Sequence, residues 1–267
     1  MSTISVVIPV YNDAELLRRC LAALAEQSRP ADEIVVVDNG STDDSAAVAR
    51  AAGARVVDEA RRGIAPATAA GFDAAHGDIL ARLDADSVPP VDWLRHIESR
   101  FDASPELSAL TGSADFIDGT RVVRWLGRTA YLGGYFWAMG LLLGHPPLFG
   151  SNLALRTRAW QRLRTTFHRG SATVHDDLDL SFQVPPGMVV EYDRDLGMRI
   201  SSRPFDSGLS FAYRSFRGVA TIAINLPHRL ARYRKERFTV AAPPAAGTLP
   251  VRGSSASVAE ATRRSTP

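Results

Sequence analysis

Two carboxylates one residue apart, Asp84 and Asp86, end the short run 79–83 and stand directly before Ser87-Val88-Pro89-Pro90. Ile79, Ala81 and Leu83 are apolar alternates, the run is too short for a capped helix, and the prolines stop it. The two acids therefore sit where a buried strand becomes a loop, and a turn there can bring both onto one cation. Hard oxygen ligands completed by water suit Mg²⁺ or Mn²⁺, above all when a diphosphate supplies further oxygens. The bland alternative for either acid is a loop residue capping the following helix. Further candidates lie at two other strand ends: Asn12 and Asp13 after the run 4–10, and Asp38 after the run 34–37. A fourth cluster, His175-Asp176-Asp177-Leu178-Asp179, reads as the start of a helix, with acids at its positive end.

The elements that must hold these residues alternate. Apolar, β-branched runs at 4–10, 34–37, 54–57, 78–83 and 107–112 read as buried strands. Between them, Leu16, Leu17, Cys20, Leu21 and Leu24 recur at helical spacing, and 45–52, 67–76 and 91–101 read as helices. Asn12 or Asp13 is expected to cap the first helix and the Ser/Thr/Asp cluster 41–45 the second. Such alternation implies an α/β fold, a mostly parallel Rossmann-like sheet with helices on both faces. In such sheets the ligand crevice lies off the carboxyl ends of the strands, where three sets of acids and amides converge. Beyond 115 the pattern loosens. The segment 116–150, rich in Gly, Trp, Tyr and Leu, is expected to hold a core helix with adjoining loops. A turn into a strand follows at 149–156, a helix at 159–163 and strands at 189–192 and 198–201. A basic, amphipathic helical stretch at 209–238 follows, and 240–267 lacks the apolar mass to fold.

With 267 residues, 45% of them hydrophobic, the chain can bury a sizeable core. Its net charge of +2 gives no global field for nucleic acid, and Lys235 is the only lysine. The single cysteine, Cys20, excludes an internal disulfide and reads as a core thiol. No signal-type segment opens the chain, and the longest apolar stretch, 131–143, is shorter than the ~20 residues a spanning helix needs. A cytoplasmic protein is expected, with the basic helix as a candidate for peripheral contact on the inner membrane face.

Four motifs occur in register: Val6-Val7-Ile8-Pro9-Val10-Tyr11-Asn12, Val35-Val36-Val37-Asp38-Asn39-Gly40-Ser41-Thr42-Asp43, Leu83-Asp84-Ala85-Asp86 and Asp176-Asp177-Leu178-Asp179-Leu180-Ser181. Together they resemble family 2 glycosyltransferases of the GT-A fold, over about residues 4–205. The resemblance implies a nucleotide-sugar-binding half at 1–115 and an acceptor-binding half at 116–207. The helical segment 208–238 and a disordered tail at 239–267 would complete the chain. It sets Pro9, Tyr11, Asp13, Asp38 and Asp84 on the nucleotide, Asp86 with Asp84 on Mg²⁺ or Mn²⁺, and Asp176 and Asn152 on the acceptor side. Asp177 is the implied general base, and the reaction an in-line, inverting transfer from a UDP- or GDP-linked sugar to a carbohydrate or lipid-linked acceptor.

Two departures qualify the resemblance. Where members often carry Ala-Arg-Asn-x-Gly, this chain has Ala67-Thr68-Ala69-Ala70-Gly71, so a basic residue near the phosphates is missing, and either Arg61 or Arg62 substitutes or the site leans more on metal. The Gln/Arg-x-x-Arg-Trp element of processive members is also absent, which implies one sugar per catalytic event. Three rivals remain. A dinucleotide-binding oxidoreductase would need a Gly-x-Gly-x-x-Gly turn that Pro9-Val10-Tyr11-Asn12-Asp13 does not supply. A haloacid-dehalogenase-like phosphatase would share Asp84-Ala85-Asp86-Ser87-Val88, but with that motif after its first core strand and a supporting lysine. A non-catalytic, glycosyltransferase-like binding module is the third.

Overall fold

The computed structural model describes residues 2–117, 125, 127–171, 173–201 and 208–235. Arg237 and the tail 239–267 lie outside them. Nine strands and eight α-helices are described. The strands are β1 (Ile4–Val10), β2 (Glu33–Asp38), β3 (Arg55–Asp58), β4 (Ile79–Arg82), β5 (Leu107–Gly112), β6 (Asp115–Phe116), β7 (Leu153–Arg156), β8 (Val189–Asp193) and β9 (Arg199–Ile200). The helices are α1 (Ala14–Ala25), α2 (Ser45–Ala51), α3 (Ile64–Ala74), α4 (Trp93–Ala103), α5 (Gly133–Leu143), α6 (Thr157–Leu163), α7 (Asp176–Gln183) and α8 (Gly208–Lys235).

Seven strands form one sheet in the order β3-β2-β1-β4-β7-β5-β8, parallel except for β7, which runs against both β4 and β5. All seven residues of β1 are buried, as a central strand covered on both faces requires. On one face α1 and α4 insert Leu17, Cys20, Leu21, Leu24, Trp93, Leu94, Ile97 and Phe101, the helical spacing anticipated from their apolar residues. On the other, α3 lies against β1 and β2 closely enough that a Cβ at Gly71 would collide with Val7 and Val37. Small residues along α3 permit that approach; each core valine or leucine so buried contributes roughly 1.5–3 kcal/mol.

The chain steps outward from β1 through β2 to β3 and then crosses back to β4 on the other side of β1, so a crevice opens where the strand order reverses, off the carboxyl ends of β1 and β4. Because β7 is antiparallel, its first residues meet the last of β4: Arg82 pairs with Leu153. That register brings the turn before β7 beside Asp84. A small β6–β9 ribbon and the Val88–Arg199 bridge tie the loop after β4 to the end of the domain.

Two expectations are corrected. Neither Asn12 nor Asp13 caps α1 through its side chain. Asp43, from the loop after β2, accepts the Ala14 N–H at 3.0 Å, while Asn12, at φ 49°, accepts from the Thr42 N–H at 2.7 Å. The two loops thus cap each other, which braces the nucleotide side of the crevice. The segment 116–150 does hold a helix, α5, continued from a π-helical turn at Gly127–Leu132, but it is not a core helix. Trp137 and Leu141 are 70% and 69% exposed. One side of α5 is anchored by Phe136 on Tyr192 and Phe149, and by Met139 and Leu142 near the buried Leu143; the other side has no layer over it among the described residues.

Of the stretch 209–238, residues 209–235 are helical as expected and pack on the domain, and 236–238 lie outside the described residues. Thr221, Asn225 and Arg229 of α8 are buried, and Asn225 donates to Asp179 and accepts from Gln183 of α7. Arg217 and Arg229 turn inward onto the carbonyls of Val174 and of Leu143 and Phe182. Arg214, Arg232, Arg234 and Lys235 are described only as helix backbone.

Candidate functional site

A cleft of about 820 Å³ opens at the predicted crevice. Pro9, Tyr11 and Asp13 line it from the end of β1, Asp84 and Asp86 from the end of β4, and Asp176 and Asp177 from the start of α7. Leu132 and Tyr135 from the π-helical turn and α5, and Ser215, Arg217 and Gly218 from α8, form the rest of its far wall. Carboxylates from two distant parts of the chain thus share one space.

Asp84 is held by two donors. Arg82 Nη2 stands 2.9 Å from Oδ1, and the Ser151 hydroxyl, brought alongside by the antiparallel β7, donates to Oδ2 at 2.5 Å. Asp86 is half-buried and faces the same cleft. No cluster of three acidic, histidine or cysteine side chains able to hold a metal occurs among the described residues. As hard oxygen donors facing one cleft, Asp84 and Asp86 fit a divalent cation shared with a diphosphate and water. Arg82 and Ser151 each take one lone pair of a different Asp84 oxygen, which leaves both oxygens able to assist as ligands. Behind the pair, Cys20 is buried, and desolvation followed by the charges of Asp86 and Asp84 pushes its thiol far up, which leaves it inert.

Asp176 is buried; its Oδ2 takes the Thr68 hydroxyl at 2.7 Å and Arg82 Nη2 at 3.0 Å. Asp177 is partly exposed to the cleft, with the Gly150 N–H on Oδ2 at 3.0 Å and the Leu178 N–H on Oδ1 at 2.7 Å. Burial, and then the adjacent Asp176 charge, push the Asp177 carboxyl above the ordinary carboxylate range against the opposing pull of His175 and Arg82. A carboxylate with raised proton affinity and free lone pairs is a suitable proton acceptor.

The other expected residues fall as follows. Tyr11 is 46% exposed, with the Arg62 guanidinium stacked over its ring at 3.2 Å from the centroid. Arg62 also donates to the Asn39 carbonyl and lines the cleft, whereas Arg61 turns to Glu59. Asp38 ends β2 and spends Oδ1 on the Ser41 N–H at 2.9 Å; its neighbour Asn39 lines the cleft. Asn152 does not belong on the acceptor side. It is fully buried, its Oδ1 accepts the Trp93 indole N–H at 2.9 Å, and its Nδ2 donates to the Ser113 and Leu196 carbonyls. The whole amide is spent in joining α4 to the loops after β5 and β8.

Arg82 and Ser151 are not among the candidates the sequence offers, and His175 stands among them without a role. His175 carried a signal, standing directly before the acid pair. Arg82 carried a weaker one, a lone charge inside a run otherwise apolar from 79 to 83.

The family model described as Glycosyl transferase family 2 matches residues 5–163. Glycosyltransferase AglE of Haloferax volcanii is 37% identical over 99 residues, 34% of this chain and 33% of its own. Undecaprenyl-phosphate 4-deoxy-4-formamido-L-arabinose transferase of Sodalis glossinidius is 44% identical over 107 residues, covering 36% and 32%. The matched segments thus span about a third of those curated relatives. Among solved structures, mannosyltransferase PcManGT from Pyrobaculum calidifontis, in complex with GDP-Man and Mn²⁺, superposes with a TM-score of 0.64 at 22% identity, covering 88% of this chain and 65% of that one. Glucosyl-3-phosphoglycerate synthase from Mycobacterium tuberculosis, with Mn²⁺, UDP-glucose and phosphoglyceric acid, gives 0.61 at 23% identity over 85% and 80%. Those two likenesses establish the shared GT-A architecture.

Proposed function

The chain belongs to glycosyl transferase family 2, and from that premise we propose that it transfers a single sugar from a UDP- or GDP-linked donor to an acceptor hydroxyl, with inversion. The observation that carries this reading is the convergence of Asp84 and Asp86 with Asp176 and Asp177 on one cleft. Pro9, Tyr11 and Asp13 line the nucleotide end, and the Tyr11–Arg62 stack offers a flat face to a base. Asp86, with Asp84, would hold Mg²⁺ or Mn²⁺ against the diphosphate, and the cation would neutralise charge on the leaving group. Asp177 takes the proton as the acceptor oxygen bonds to the anomeric carbon and the sugar–diphosphate bond breaks, releasing the nucleoside diphosphate. The Gly150 and Leu178 N–H groups orient both its oxygens while leaving lone pairs to receive that proton.

The acceptor is proposed to be carbohydrate or lipid-linked, with the enzyme working at a membrane surface. Supporting this, the helices that wall the far side of the cleft carry Trp137 and Leu141 on α5, and Phe216 and Val219 on α8, as exposed apolar residues. No helix among the described residues is long and apolar enough to cross a membrane, so contact would be peripheral.

A thermal-shift panel of UDP-, GDP- and dTDP-sugars with and without Mn²⁺, followed by assay of nucleoside diphosphate release, tests the reading. One donor should raise the melting temperature and be consumed. A donor that binds without any release, with or without acceptors, would make the chain a binding module. The absence of any shift or release would remove the reading altogether.

A further inference from the structure

The two pairs of cleft acids are joined by one buried cation. Arg82 ends β4 with 2% of its surface exposed, and its single Nη2 nitrogen is 2.9 Å from Asp84 Oδ1 and 3.0 Å from Asp176 Oδ2. Asp84 belongs to the loop after the central strand, Asp176 to the first turn of α7. Burial opposes a charge on Arg82, yet the charges of Asp176, Asp84 and Asp177 keep it protonated. The guanidinium also packs on Gly150, where a Cβ would run into Nη1, and the same glycine donates its N–H to Asp177.

As a stabilising device this is poorly built. Among the described residues Nε and Nη1 are buried with no hydrogen-bond partner, so two nitrogens of a desolvated guanidinium go unsatisfied there. An apolar residue would suit the sheet better at this position, since Leu80 on the same face joins the core under α3 and α6. A local arrangement that costs stability beside a reactive cleft is where function is expected.

We propose that Arg82 is the positioning residue of the site: by holding Asp84 and Asp176 on one nitrogen and bracing Gly150, it keeps donor-side and acceptor-side acids in register and offsets their charge. The inference rests on the transfer reading above. Arg82 forms no bond to the reacting atoms. It acts through Asp84, which faces the diphosphate end, and through Asp176 and Gly150, which flank Asp177. It also answers the departure at Thr68: the cation missing from α3 enters from β4 instead, and Thr68 hydrogen-bonds the same Asp176 oxygen that Arg82 holds.

The test has two arms. In the first, steady-state kinetics with the donor found above are measured for Arg82→Lys and Arg82→Leu. Misplacing a reacting group by about an ångström can cost on the order of 100-fold, so kcat should fall about 100-fold in Arg82→Leu with donor KM within about threefold. Arg82→Lys, which keeps the charge but loses the fork, should fall between the two. A folded Arg82→Leu with kcat within about threefold of wild type would overturn the proposal, as would kcat losses in both variants that only track the fraction of unfolded protein. In the second arm, the Tm is measured for Arg82→Leu, Asp84→Asn, Asp176→Asn and the two doubles containing Arg82→Leu. The shifts should be non-additive for both acids, and additivity at either would remove the bridge. This arm is read whether or not the wild type turns over any nucleotide sugar, so failure of the bridge and failure of the transfer reading are separate results.

Discussion

Gly150 and Arg82 are packed face to face: the guanidinium fills the space that a Cβ at position 150 would need, while the Gly150 N–H reaches Asp177 Oδ2 at 3.0 Å. Glycine is required there by close approach, since its φ is not in the left-handed region. Gly150→Ala must push back the buried Arg82 or move the turn that orients Asp177. Turnover is expected to fall by roughly 10–100-fold with donor affinity changed only a few-fold. Calorimetry of donor binding beside steady-state rates checks it; unchanged kcat would show that the turn yields freely.

The raised proton affinity of Asp177 gives a pH signature. As a base it works only when ionised, so kcat should fall as pH drops through a value above the ordinary carboxylate range. Asp176→Asn removes the neighbouring negative charge and should move this acidic limb to lower pH. Linkage gives the opposite sign for stability. A carboxyl that binds its proton more tightly folded than unfolded costs stability once pH rises through its folded pKa. Asp177→Asn should therefore abolish most turnover yet melt no lower than wild type at pH 8, and this advantage should shrink towards pH 4. An Asp177→Asn variant that keeps turnover within about threefold of wild type would remove the base from this residue.

Much of this architecture was legible beforehand, for a physical reason. Strands β1, β2 and β4 are β-branched or alternating runs ending on acids or amides, and the position of an acid at a strand end survives any error in exact boundaries. The four carboxylates Asp84, Asp86, Asp176 and Asp177 could be named because they occur as local pairs. Arg82 could not, since its partner Asp176 is distant in the chain and only the fold brings them together. Asn152 was misassigned because a buried amide that fastens loops and one that binds an acceptor have the same sequence context. The exposure of α5 was equally hidden: it is apolar on every side, so its pattern contains no polar face to mark the surface.

Divalent-metal dependence should pass chiefly through Asp86. Asp86 and Asp84 line the same cleft, and the motif Leu83-Asp84-Ala85-Asp86 sets Asp86 on the cation with Asp84 assisting. Asp86→Ala should weaken nucleotide-sugar binding by about tenfold or more and make the remainder insensitive to EDTA, in keeping with about 1.4 kcal/mol per decade of affinity. Undiminished affinity together with a wild type that ignores EDTA would sink the role.

Away from the cleft, Glu33 fastens the opposite end of the sheet. It accepts from the Ser5 hydroxyl at 2.6 Å, the His76 N–H at 2.9 Å and Arg55 at 2.5 Å. Burial opposes its charge, but these donors win and bring the carboxyl down to about 2. A depressed folded pKa contributes stability that is fully present above the unfolded value and is lost as pH falls through the folded one. Glu33→Gln should cost on the order of 1–2 kcal/mol in urea unfolding at pH 7, allowing for solvent screening, and progressively less between pH 4.5 and pH 2. An equal cost at both ends of that range would mean that packing, and not charge, is what the substitution removes.

The surface that carries α5 and α8 bears on where the transfer occurs. Cutting the chain before α8 is a poor probe, because Thr221, Asn225 and Arg229 are buried and α8 lends residues to the cleft wall. Arg217 and Arg229 are equally poor probes, since both are engaged with backbone carbonyls. The outward side chains Trp137, Leu141, Phe216 and Val219 are free of that objection: they are 70%, 69%, 60% and 65% exposed. If the face meets a bilayer, burying Trp137 and Leu141 in the headgroup layer contributes roughly 1.5–3 kcal/mol each, so Trp137→Ser/Leu141→Ser should lower partitioning more than tenfold. The measurement is co-sedimentation with phosphatidylglycerol vesicles at low and high salt, with circular dichroism to confirm that the double variant remains folded. Wild type is expected in the pellet at low salt and the variant in the supernatant. Wild-type protein that stays in the supernatant at low salt would exclude a membrane role for this face.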